Sequence, residues 1–213
     1  MIKAKLNINE IFYSLQGEAR EVGLPSVFIR LTGCPLKCTY CDTEYAFKGN
    51  NLMEIDAIIS EIKQYDTTYI CVTGGEPLVQ KNCYLLLDRL IKNNYQVSLE
   101  TSGSINIQDV NALVSIVMDV KTPSSGESEQ NKYTNFKKLT VKDQLKFVIG
   151  SHSDFDWSVA ILNQYSTTAG VLFSPVFGNI TPTQLADWIL DKQINVRLQI
   201  QLHKLLWGDE KGK

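Results

Sequence analysis

The chain lacks any apolar run long enough to span a membrane. Its first residues, Met1-Ile2-Lys3-Ala4-Lys5, lack the apolar stretch of a secretory signal. It also lacks an excess of either charge: 21 Lys and Arg stand against 23 Asp and Glu, a formal net charge of −2. Neither a nucleic-acid partner nor a membrane partner is expected from that balance. Five cysteines, an odd number with three bunched together, argue against a disulfide framework. The expected location is the reducing cytoplasm. No internal repeat is evident and no linker marks a second domain, so residues 1–213 read as one domain with room for one sizeable core.

What stands out against these absences is Gly33-Cys34-Pro35-Leu36-Lys37-Cys38-Thr39-Tyr40-Cys41-Asp42-Thr43. Directly upstream, Val27-Phe28-Ile29-Arg30-Leu31 reads as a buried strand, which puts the cysteines on the loop leaving its C-terminal end. Such a loop can wrap a metal centre and offer it several thiolates. A fourth thiolate is missing. Structural zinc sites and ordinary 4Fe–4S sites close with four ligands. Cys71 sits inside an apolar strand-like run and Cys83 on an expected helix, and both read as small buried hydrophobes. His203 could complete a zinc set; the competing reading is a cluster with one iron left open to a small molecule.

The rest of the chain alternates. After a strand-like segment in the front half of residues 6–20, helical spacing covers 51–64, 79–93, a short piece near 107–114, 153–165, and a helix opening at Thr181-Pro182. Strands are expected at 68–73, 96–100, 115–121, 145–149, 171–175 and 196–202, the last ending at His203. The stretch Thr122-Pro123-Ser124-Ser125-Gly126-Glu127 reads as a mobile, exposed loop. About seven strands alternating with helices imply parallel pairing. Too few repeats are present for an eightfold barrel. The expected fold is α/β, a partial β/α barrel of six to seven mostly parallel strands. Thr73, Glu100, Ser102, Asp119, Lys121, Ser174 and His203 gather at the C-terminal strand ends, the face that carries the site in β/α barrels.

Several polar residues admit two readings. Gln16-Gly17-Glu18 is by itself a polar turn, but beside the cysteine loop an amide and a carboxylate can read the edge of a heterocycle. Arg30, flanked by apolar residues, needs a partner: either a structural ion pair or a substrate carboxylate. In Gly74-Gly75-Glu76-Pro77 the glycines allow close approach of the backbone, and the acid can meet a ligand ammonium. Thr43 could end its loop with a backbone hydrogen bond. His203 is equally a substrate neighbour or a backbone-bonded histidine. His152, in a polar stretch, reads as surface.

The Cys34, Cys38, Cys41 spacing followed by Gly74-Gly75-Glu76-Pro77 resembles the radical S-adenosylmethionine (SAM) enzymes. In that family three cysteines hold a 4Fe–4S cluster, SAM chelates the open iron, and reductive cleavage yields a 5′-deoxyadenosyl radical. Further matches make the chain similar to the 7-carboxy-7-deazaguanine synthase branch. They include Glu10-Ile11-Phe12-Tyr13-Ser14-Leu15-Gln16-Gly17-Glu18, Phe28-Ile29-Arg30-Leu31 and Cys41-Asp42-Thr43. Glu100-Thr101-Ser102-Gly103, Asp119-Val120-Lys121-Thr122-Pro123 and Gln201-Leu202-His203-Lys204 extend them. The resemblance implies conversion of 6-carboxy-5,6,7,8-tetrahydropterin to 7-carboxy-7-deazaguanine with loss of ammonia, in queuosine precursor synthesis. SAM would act as a regenerated cofactor.

By the same resemblance Thr43 places a Mg²⁺ ion. Tyr40, Cys41, Asp42, Gly75, Glu76, Ser102, Asp119, Lys121 and Ser174 line the SAM site. Leu15, Gln16, Gly17, Glu18, Arg30, Thr73 and His203 hold the pterin. A homodimer and a flavodoxin- or ferredoxin-type electron donor are also implied. This chain departs from the pattern at Ala19-Arg20, where a glycine usually follows the acid, and in its ending, Asp209-Glu210-Lys211-Gly212-Lys213, which reads as a solvated tail. The rival within the superfamily is an activase that installs a glycyl radical on a partner enzyme. Outside it, the rival is a non-enzymatic zinc or iron–sulfur protein.

Overall fold

Short apolar runs rich in Val, Ile and Phe become strands here. They are β1 (Lys5–Leu15), β2 (Pro25–Leu31), β3 (Leu52–Glu54), β4 (Tyr69–Gly74) and β5 (Gln96–Thr101), followed by β6 (Ser115–Val120), β7 (Gln144–Ile149), β8 (Gly170–Pro175) and β9 (Arg197–Leu198). The computed structural model describes residues 4–208, 210, 212 and 213. Its strands join in one open sheet in the order β3-β1-β2-β4-β5-β6-β7-β8-β9. From β2 through β9 every pairing is parallel; β1 runs antiparallel to both β2 and β3.

The sheet curls. Strands lie ~4.8 Å apart, so the seven steps from β1 to β9 would cover roughly 34 Å if flat. Gly17, just past β1, nevertheless accepts a hydrogen bond from Leu202 N, just past β9, at 3.0 Å. The few intervening residues reach only about 20 Å when extended. The sheet is thus a partial barrel, as expected, with nine strands instead of six to seven.

The helices are α1 (Ile55–Ile62), α2 (Cys83–Lys92), α3 (His152–Gln164), α4 (Pro182–Lys192) and α5 (Leu202–Trp207). On α1 the residues Ile55, Ile58, Ile59 and Ile62 are buried, and on α2 Cys83, Leu86, Leu87 and Leu90 are. That three–four spacing lays one apolar stripe of each helix on the sheet. Each such aliphatic side chain contributes about 2 kcal/mol on burial. Cys71 and Cys83 are core residues, as their neighbours suggested. At α4 Thr181 and Gln184 form a capping box ahead of Pro182.

Three expectations fail for tertiary reasons. Leu52–Glu54 is a strand and not a first helical turn, because it pairs with Lys5, Leu6 and Asn7 of β1. Residues 107–114 form turns: the side chains of Asn106 and Asn111 accept from Gln108 N and Leu113 N, offering the backbone an alternative to helix. The last strand stops at Leu198. Gln199 N still donates to Phe173 O, and then the Leu202 N bond to Gly17 draws the chain off the sheet into α5. His203 is therefore helical. His152 is exposed as expected, beside Asp156 and against Trp188.

Candidate functional site

The cysteine loop leaves β2 and is gripped by two neighbours. On one side lies Gly74-Gly75-Glu76. Gly75 N donates to Leu31 O and Glu76 N to Gly33 O, at 3.3 and 2.9 Å. A Cβ on Gly75 would meet Gly33 O at 2.4 Å and Cys34 Cβ at 2.6 Å. The close approach that a glycine permits here is therefore to the cysteine loop itself.

On the other side lies the segment expected to be a mobile, exposed loop. It is docked instead: Pro123 and Gly126 are exposed, but Thr122 and Ser125 are fully buried. Ser125 O accepts from Thr39 N at 3.0 Å and Ser124 O from the Thr39 hydroxyl at 2.6 Å. Glu127 Oε1 accepts from Lys37 N at 2.6 Å, and the hydroxyls of Tyr40 and Thr122 bond at 3.0 Å. The backbone of Ser124 is tied in turn to Asp154 on α3. Composition suggested mobility, but these bonds are made by residues distant in sequence.

Cys34, Cys38 and Cys41 are half-buried on the wall of a cavity of about 910 Å³. Burial raises the pKa of all three thiols, Cys38 to about 11, with Lys121 opposing. Among the described residues no three His, Cys, Asp or Glu side chains close on a point that would hold a single metal ion. The three cysteines share the lining of this one cavity.

Beside them in the cavity stand Tyr40, Asp42, Thr43, Gly75, Ser102, Asp119 and Lys121. Burial disfavours the Lys121 ammonium, yet Asp119, 3.2 Å away, together with Cys38 and Tyr40 outweighs it and raises the pKa above the ordinary lysine value. Asp119 Oδ1 is buried with no partner among the described residues. Burial and the hydroxyl bond to Thr122 act oppositely on Tyr40, and burial wins, pushing it up to about 12. Thr43 donates to Asp42 Oδ1 at 2.7 Å. Burial works against the Asp42 carboxylate, but that bond and the charges of Lys146, Lys204 and His203 hold its pKa below the ordinary value.

Two residues expected at the SAM site are not brought to the cavity. Glu76 is fully buried, and its carboxylate accepts from Thr101 Oγ1, Ser102 N, Ser102 Oγ and Leu78 N. Donors on the neighbouring strand end turn it inward, so it holds Ser102 in place. Ser174 is buried on β8, its hydroxyl unpartnered among the described residues, and it does not line the cavity.

A second set of lining residues is polar in a different way. Leu15, Gln16, Gly17, Glu18, Arg30, Thr73 and His203 all line the cavity. Arg30 realises the ion pair: Nε donates to Glu10 Oε1 at 2.6 Å, with the rings of Phe12 and Tyr45 within 5.7 Å of its guanidinium carbon. Its two terminal nitrogens have no hydrogen-bond partner among the described residues. A Cβ on Gly17 would meet His203 Nδ1 at 2.2 Å, so glycine is what lets α5 seat against this loop.

Sequence reasoning put Glu100 on the site face without giving it a role and missed Lys146. Glu100, at the end of β5, accepts from Thr73 Oγ1 at 2.8 Å and from Gln16 Nε2 at 3.4 Å; its place at a strand end was the available signal. Lys146, midway along β7, pairs with Glu18. A cation inside an apolar strand was its signal, the same one that marked Arg30. Of the tail, Glu210, Gly212 and Lys213 line the cavity, and Asp209 and Lys211 lie outside the described residues.

Residues 28–149 match the model of the Radical SAM superfamily. The 7-carboxy-7-deazaguanine synthase of Chlorobaculum tepidum is 39% identical over 98% of this chain and 97% of its own length. That of Clostridium acetobutylicum is 38% identical over 95% and 96%. Among solved structures, QueE from Escherichia coli superposes with a TM-score of 0.79 over 93% of this chain and 95% of its own, at 22% identity. Streptococcus suis SuiB bound to S-adenosylmethionine gives 0.56 over 79% of this chain and 48% of its own, at 13% identity. These two speak to the fold alone. The chain belongs to the radical SAM superfamily and, within it, to the 7-carboxy-7-deazaguanine synthases.

Proposed function

We propose that this chain is a carbon–nitrogen lyase that converts 6-carboxy-5,6,7,8-tetrahydropterin to 7-carboxy-7-deazaguanine with loss of ammonia. One observation carries the reading. A single cavity is lined both by three cluster-spaced thiols and by an amide–carboxylate set with an arginine whose terminal nitrogens have no hydrogen-bond partner among the described residues. A glycyl-radical activase has no use for that second set.

The superfamily implies a 4Fe–4S cluster and SAM, and the residues present fit them. Cys34, Cys38 and Cys41 offer three soft ligands, one short of closing a cluster. Asp119 Oδ1 is an orphaned acceptor in the same cavity. When bound, these groups supply a carbon-centred radical that abstracts hydrogen. Tyr40, Cys41, Asp42, Gly75, Ser102, Asp119 and Lys121 surround SAM in this reading, with Glu76 holding Ser102 from behind.

In the same cavity, Arg30 binds the pterin carboxylate through its terminal nitrogens. Glu100, fixed by Thr73 and Gln16, accepts from N–H groups of the heterocycle. Leu15, Gly17 and Glu18 form the wall over the ring, closed by His203. Thr43, whose hydroxyl donates to Asp42 Oδ1, would hold a Mg²⁺ ion, a hard cation suited to oxygen ligands, which would supply positive charge for the substrate carboxylate. A flavodoxin- or ferredoxin-type donor, a homodimer and a cytoplasmic location complete the reading. No described helix is long and apolar enough to cross a membrane.

The test is anaerobic turnover of the reconstituted, reduced protein with the carboxylated tetrahydropterin. The expected result is 7-carboxy-7-deazaguanine with ammonia. Cleavage of SAM without any deazapurine would leave the superfamily chemistry standing and sink the substrate assignment.

A further inference from the structure

Lys146 interrupts the apolar run of β7 between Leu145 and Phe147, both fully buried, and is itself 8% exposed. A cation in such a setting needs a counter-charge close by. Glu18 supplies it from the segment after β1, five steps away in the sheet order, and Lys146 Nζ donates to Glu18 Oε2. The other carboxylate oxygen, Glu18 Oε1, is buried with no partner among the described residues. Both side chains line the cavity. The neighbouring atoms are already engaged. Gln16 Oε1 accepts from Glu18 N at 3.3 Å, and Gly17 O accepts from Leu202 N. Glu21 Oε2 in the same loop is also buried without a partner among the described residues, but of the two only Glu18 lines the cavity, where its buried oxygen can accept from a donor that arrives with the ligand.

We propose that Lys146 is a positioning residue for substrate: its ammonium draws Glu18 across the cavity and reserves Glu18 Oε1 for an N–H of the bound heterocycle. This rests on the pterin reading above. Lys146 acts through Glu18 and does not itself touch the ring. The apolar neighbours of Lys146 fix its direction, and the glycine before Glu18 lets α5 press the loop down.

A cycle of variants tests it on the anaerobic, cluster-loaded protein, reading affinity for the carboxylated tetrahydropterin and, separately, for SAM. Lys146→Met weakens pterin binding by at least about fivefold and raises KM more than it lowers kcat, while SAM affinity and the cluster's electron paramagnetic resonance signal stay as in the parent. Glu18→Gln combined with Lys146→Met binds pterin like Glu18→Gln alone, because nothing is left for the ammonium to hold.

Pterin affinity in Lys146→Met that stays within about fivefold of the parent overturns the proposal, whatever happens to its melting temperature. So does a further fivefold loss, or more, when Lys146→Met is added to Glu18→Gln, since Lys146 would then act without Glu18. If Lys146→Met alone fails to fold, the comparison of Glu18→Gln with the double variant, which buries no unpaired charge, decides the matter. A parent that binds no pterin overturns the substrate reading and this inference together. A parent that binds, with Lys146→Met unaltered, overturns this inference alone.

Discussion

At the scale of single residues, the site depends on contacts that leave no room for another atom. Gly17→Ala would drive a methyl group into His203. The expected outcome is a loss of pterin affinity of about tenfold or more, equivalent to about 1.4 kcal/mol, with iron content unchanged. Equilibrium binding beside iron analysis checks this. His203 also gives the acid response a sign. Burial lowers its pKa below the ordinary 6.5, Lys204 and Lys146 add to this, and Glu18 and Asp42 oppose it. The unfolded chain therefore takes up the proton first. Stability associated with neutral His203 is intact above 6.5 and declines as pH falls from there through the lower folded value. His203→Asn should flatten the stability profile in that window, and denaturant titrations at stepped pH measure it. Asp42, also depressed, takes effect only at more acidic pH, below its ordinary 3.8.

At the scale of elements, the Thr122–Glu127 segment braces the cysteine loop. Thr122→Val keeps the shape but removes the hydroxyl that joins Tyr40 to Val148 O. It should cost about 1–2 kcal/mol and slow anaerobic cluster reconstitution, while leaving the completed cluster's spectrum intact. Calorimetry and the rate of absorbance growth during iron and sulfide addition report the two effects. The same segment shows where sequence reading loses its grip. The Cys34, Cys38, Cys41 spacing was legible because the loop's chemistry is local. Strands β4 to β8 were legible because parallel strands buried on both faces carry continuous apolar runs. The bracing role was invisible, since Ser, Pro and Gly look the same whether a loop is free or docked. The inward direction of the Glu76 side chain was invisible for a similar reason: Thr101 at the end of β5 and Ser102 just past it decide which way it points. Leu52–Glu54 followed its partner in β1 over its own spacing.

At the scale of the whole molecule, the bond from Leu202 N to Gly17 O, with His203 seated on that glycine, couples sequence-distant segments across the cavity. Between them lie seven strand-to-strand steps that are already self-sufficient in hydrogen bonds. The amide of Leu202 should exchange with deuterium far faster than those of Ile70 or Phe147 in the parallel core, and bound pterin should slow it selectively. Hydrogen-exchange mass spectrometry on the peptides containing each residue reads this directly. Timing follows from that seam. While the chain is being made, the cysteine loop and the segment that braces it emerge before residue 203, and the pocket stays unfinished until residue 203 leaves the ribosome and reaches back to residue 17. A nascent or clipped chain could therefore acquire its metal before it could admit a pterin, and radical chemistry would have nothing to act on until the last turn of helix arrived.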